Sequence, residues 1–142
     1  MVRVILSCVF LSFLMQTSLV SGGLPDWVPP EIIEMAAGEK GRCMSEHGTT
    51  QGMIDQVNAG SIPNDPALTC YMFCLFESFS IVDEDGVLEY EMLLEMFPED
   101  IKNKATGILG GCATQSGADN CEKVYKIATC VQGKDPSMWF MI

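Results

Sequence analysis

Cys70 and Cys74 stand four residues apart in a stretch that reads as helix, and this spacing constrains the chain more than any other feature. Residues four apart on a helix share a face, with Cβ atoms roughly 5–6 Å apart. A disulfide wants about 3.5–4.5 Å between its Cβ atoms. The two cysteines therefore bond outward, to two different elements, and the helix that carries them becomes a hub. Cys121 and Cys130 cannot pair along one straight helix either. With Cys43 and Cys112 they complete a set of six, and geometry removes several of the possible connectivities without choosing one. Zinc is the weaker reading, because structural zinc favours CxxC pairs with histidine. Here the spacing is CxxxC, and His47 is the only histidine.

The seventh cysteine, Cys8, lies in a different kind of segment. Arg3 precedes an uncharged apolar run from Val4 to Met15, and small residues follow at Ser18, Ser21, Gly22 and Gly23. This order is that of a secretory signal peptide over residues 1–22, cleaved after Gly22, with one domain over 23–142. A spanning helix needs roughly 20 apolar residues, and Gln16, Thr17 and Ser18 interrupt the run. Stable membrane insertion is not expected. Export suits the cysteines, since disulfides persist in oxidising compartments. Without Arg3, one of 8 basic residues set against 19 acidic ones, the net charge moves from −11 to −12. Such a chain repels phosphate backbones, so nucleic acid is an improbable partner.

The rest of the chain reads as about six helices, an all-α domain. Pro29-Pro30-Glu31 opens the first, with Gly48 as its stop. A second fits Thr50 to Val57. The third starts at Asp65 as N-cap and Pro66 as first residue, carries Cys70 through Phe79, and stops at Asp83-Glu84-Asp85-Gly86. A fourth spans about Leu88 to Met96, and Pro98 begins a fifth that loosens at Gly110-Gly111. The sixth covers about Asp119 to Val131, with Cys121, Val124, Tyr125, Ala128 and Val131 on one face. No alternating run suggests a sheet. After Pro136 the chain ends in Met138-Trp139-Phe140-Met141-Ile142, five apolar residues that must pack somewhere.

The intervals between cysteines are 26, 3, 37, 8 and 8 residues. With Cys70-Tyr71-Met72-Phe73-Cys74, Cys121-Glu122-Lys123-Val124-Tyr125 and the apolar ending, this pattern resembles the insect odorant-binding proteins of the pheromone-binding and general-odorant type. The resemblance covers essentially all of 23–142. It implies six helices around an enclosed apolar cavity, stapled by the bridges Cys43–Cys74, Cys70–Cys121 and Cys112–Cys130. It also implies a tail folded back over that cavity and a secreted carrier of a small apolar ligand, possessing no cofactor. At the positions just after Cys74, some relatives offer hydroxyls to short alcohols. Phe76 and Ile81 stand there in this chain, which favours a larger, more apolar ligand.

Candidate wall residues are Phe76, Phe79, Met92, Phe97, Leu109, Tyr125 and Val131, with Trp139 and Phe140 from the tail. Ten methionines suit a surface that adapts to its ligand, although each alone is equally at home in an ordinary core. Partners would be the ligand and a chemosensory receptor, with the protein a monomer or weak homodimer. A calcium loop at Asp83–Gly86 fails, because an EF-hand register puts Ile81 and Met92 where oxygen ligands belong. Catalysis lacks its constellations: no GxSxG or HExxH occurs. His47 and acidic contacts of the tail suggest weaker ligand binding at acidic pH. The rival reading is a secreted signalling or defence protein whose apolar tail contacts another protein.

Overall fold

The computed structural model describes residues 23–142, and the expected signal peptide over 1–22 lies outside the described residues. Local chemistry accounts for most of the helix starts. Pro30 opens α1 (Pro30–His47), and Gly48 closes it in the left-handed region, at φ 70°. Thr50 caps α2 (Gln51–Asn58) by accepting from the Met53 amide. Asp65 caps α3 (Pro66–Ser78) through the Ala67 amide at 2.8 Å. α4 (Tyr90–Glu95) is short, and α5 (Glu99–Gly110) follows Pro98. Asp119 caps α6 (Asn120–Lys134) by accepting from the Glu122 amide at 2.8 Å, while Glu122 accepts from the Ala118 amide at 2.7 Å. A single 3-10 turn, Pro136–Met138, then leads into the tail.

α3 ends earlier than its composition suggests, at Ser78 rather than near Asp83. The Ser78 hydroxyl donates to the Cys74 carbonyl at 2.7 Å, and Ser80 takes a left-handed conformation at φ 54°. The chain then doubles back. Among the described residues the one β pairing is an isolated bridge between Val82 and Leu88. Between them lies the expected Asp83–Gly86 turn, in which the Asp83 carboxylate accepts from the amides of Asp85 and Val87. The start of α6 pins this turn: Asn120 donates to the Glu84 carbonyl and Lys123 to that of Asp85.

Gly86 sits in the turn at φ 73°, where an added Cβ would meet Asn120 Oδ1 at 3.0 Å. The Gly86→Ala protein is expected to lose about 1–3 kcal/mol in a denaturant titration, since strain and contact act together. A loss below about 0.5 kcal/mol would mean that the turn relaxes freely.

α3 packs most extensively on α6 and next on α1, as the hub geometry requires. Cys70–Cys121 ties α3 to α6, Cys43–Cys74 ties α1 to α3, and Cys112–Cys130 ties the end of α5 to α6. Leu68, Tyr71, Met72 and Leu75 of α3 meet Val124, Ile127, Ala128 and Val131 of α6 in one buried cluster. α4 stands apart: none of its residues is buried, and its main neighbour is α5.

Candidate functional site

A cavity of about 250 Å³ lies beneath the tail. Its wall comes from the segment before α1 (Trp27, Val28, Pro29), from α1 (Ile32, Met35, Ala36), and from α3 with the loop after it (Leu75, Phe76, Phe79, Ile81, Leu88). Met92, Leu93, Met96 and Phe97 add the α4 side, Leu109 the α5 side, and all five residues from Met138 to Ile142 form the roof. Every lining residue is apolar, and no carboxylate, ammonium or hydroxyl side chain enters the wall. Met35, Met92 and Met96 are also exposed, which marks where the cavity meets solvent.

Seven of the nine expected wall residues line this space: Phe76, Phe79, Met92, Phe97, Leu109, Trp139 and Phe140. Tyr125 and Val131 do not. Val131 is fully buried in the main core cluster, and Tyr125 packs partly buried against the same core. Helical periodicity identifies the buried face of α6 but not which neighbour covers it. The larger omission is the segment before α1. Trp27 meets Phe97 edge-on at 5.0 Å and Phe140 at 5.3 Å, so it joins the roof to the α4 side. Its signal in the sequence is a large aromatic close to the proline start of α1.

The tail is tied down by its backbone. Asn58, the last residue of α2, donates to the Met141 carbonyl and accepts from the Met141 amide, each at 2.8 Å. Tyr71, wholly buried in α3, donates its hydroxyl to the Ile142 backbone oxygen, and burial pushes that phenol above its ordinary pKa. Met141 and Trp139 are buried in consequence. At the foot of the tail, Asp135 pairs with Lys104 of α5 and accepts from the amide and hydroxyl of Ser137.

The Lys104 ammonium, with the Ser137 hydroxyl next, holds the Asp135 carboxyl down to about 2. A carboxyl depressed in the folded state adds stability above its unfolded value near 4 and loses that contribution as pH falls towards 2. The foot is therefore expected to hold from neutrality to about pH 4 and to release between about pH 4 and 2. Tryptophan emission followed against pH should show that step, and Asp135→Asn should abolish it. A step near pH 5–6 that Asp135→Asn removes would contradict this assignment. His47 lines neither this cavity nor a second, mixed-polarity hollow of about 360 Å³ beside Lys104 on the other side of the roof. Glu46, His47 and Cys74 cluster within 4.8 Å, but the Cys74 sulfur is bonded to Cys43 and has no thiolate to offer a metal.

No helix among the described residues is long and apolar enough to cross a membrane. The sequence model of the PBP/GOBP family matches residues 26–134. The chain is 31% identical over 129 residues to general odorant-binding protein 69a of Drosophila melanogaster, covering 88% of this chain and 87% of that one. Its fold is similar to that of odorant-binding protein 7 from Anopheles gambiae, solved with four disulfide bridges and an azo compound (TM-score 0.69, 25% identity, 78% of this chain and 91% of that one). It is similar also to the medfly odorant-binding protein CcapOBP22/CcapOBP69a (TM-score 0.64, 28% identity, 73% and 90%). Six helices, three bridges and these likenesses agree: the chain belongs to the PBP/GOBP family of insect odorant-binding proteins.

Proposed function

We propose that the protein is a secreted carrier, not an enzyme, that takes a small apolar odorant- or pheromone-like ligand into the cavity beneath its tail. It holds the ligand in extracellular sensory fluid and delivers it to a chemosensory receptor. One observation carries the reading: the cavity wall is apolar on every side and has no group that could perform chemistry. Ligand burial there contributes about 25 cal/mol per Å² of apolar area removed from water. Three disulfides suit an oxidising compartment outside the cell, and residues 1–22 supply the export signal, removed to leave 23–142 as a monomer or weak homodimer.

The rival reading needs the tail on the surface, available to a protein partner. Met138, Trp139 and Met141 are buried, which favours the carrier. The test is displacement of a fluorescent apolar probe from correctly bridged protein by volatile and lipid-like compounds. Micromolar displacement by a few of them, with a change in tryptophan emission, supports the carrier. Absence of any probe binding would overturn it.

A further inference from the structure

Trp139 lines the cavity and carries the one buried side-chain nitrogen or oxygen among the described residues that has no hydrogen-bond partner, its indole Nε1. Buried donors in folded proteins are nearly always paired, and a buried tryptophan usually finds an acceptor for its N–H. The wall offers very little else that is polar. Its only side-chain N–H groups belong to Trp139 and Trp27, and its only side-chain acceptors are the weak thioether sulfurs of methionine. Trp27 is partly exposed, so water reaches it, whereas Trp139 is 9% exposed and its ring stands edge-on to Phe76 at 5.6 Å.

We propose that the Trp139 N–H is the cavity's polar recognition group, and that it receives the carbonyl oxygen of an uncharged apolar ligand: a ketone, an aldehyde or an ester. This rests on the carrier reading and narrows it. The nitrogen has no surface open to the cavity in this structure, so recognition requires the indole, which lines both this cavity and the hollow beside Lys104, to turn toward the ligand. The remaining chemistry of the wall sets the preference. A carboxylate would bring in a charge with no counter-charge. An alcohol would pair its oxygen but leave its own O–H without a strong acceptor. A carbonyl compound accepts and has nothing left to satisfy.

The experiment measures dissociation constants for a long-chain ketone and a hydrocarbon of the same length, with wild type and Trp139→Phe. The substitution keeps an aromatic ring and removes the N–H. Ketone affinity should fall about tenfold further than hydrocarbon affinity, because the smaller ring costs both ligands wall contact while one neutral hydrogen bond is lost for the ketone alone. A parallel measurement on wild type guards against a misfolded variant. The Trp139 indole proton resonance, distinguished from that of Trp27 by Trp27→Phe, should move downfield with the ketone and not with the hydrocarbon. Equal losses for both ligands, or an indole proton that ignores the ketone, would overturn the inference and leave the carrier intact. Failure of both ligands to bind would overturn the carrier reading and the inference with it.

Discussion

Replacing Cys70 and Cys121 together with alanine is expected to destabilise the protein by about 4 kcal/mol, the largest effect of any single bridge. The two are 51 residues apart in sequence, and the chain-entropy cost of leaving so long a loop open in the unfolded state is of that size. Cys112–Cys130, at a separation of 18, should be worth about 3 kcal/mol on the same basis. Position adds to length, because Cys70–Cys121 joins the two helices that pack most extensively on each other. A domain of this size has a net stability of about 5–15 kcal/mol, so the double variant should unfold at much lower denaturant or fail to accumulate. Urea titrations of the two paired variants would check the order. If losing Cys112–Cys130 costs more, the unfolded chain retains structure across α3 and α6 that the simple loop estimate ignores.

Deleting Pro136–Ile142 is expected to cost ligand affinity rather than helix. All three bridges lie outside the tail, so the helical circular-dichroism signal should survive. The cavity loses its roof from Met138 to Ile142. A return of about 100 Å² of apolar ligand surface to water sets the scale of the loss. That corresponds to about 2.5 kcal/mol, or roughly 60-fold in dissociation constant. Probe titration of the truncated and full-length proteins side by side provides the measurement. Undiminished affinity would show that the ligand sits away from the tail altogether, since Pro136 to Phe140 line the hollow beside Lys104 as well.

Helix starts were legible because they are local. Pro30, Asp65, Pro66 and Asp119 act on the next turn of chain, and the structure places helices α1, α3 and α6 at those residues. The end of α3 was not legible, since it depends on Ser78 turning to the Cys74 carbonyl and on Ser80 entering a left-handed conformation. Neither is encoded in hydrophobic spacing. The hub role of Cys70 and Cys74 follows from helix geometry alone, while the identity of their partners came from family resemblance. The same limit divides the cavity residues. Phe76 and Phe79 line it, and Val131 is buried in the core instead, because periodicity reports burial and says nothing of which element does the burying. Trp27 is not legible in the sequence for a related reason. It lies before the first helix, where no period exists to flag it, and its place depends on contacts with Phe97 and Phe140, far along the chain.

The bridges are unevenly distributed around the cavity. α1, α3, α5 and α6 are cross-linked or joined at a bridge, and no bridge or buried side chain holds α4. The binding chamber therefore has a stiff half and a compliant half. On the stiff side Leu75, Phe76 and Leu109 act as a mould whose shape a ligand must accept. On the compliant side, Met92 and Leu93 of α4 and Met96 just beyond it behave as a cushion of flexible side chains on a loosely held helix. Such a chamber discriminates by branching and width at one end of a molecule and forgives length at the other. A homologous series differing only in chain length should then bind within a narrow range of affinities, and moving a single methyl group at the moulded end should scatter them.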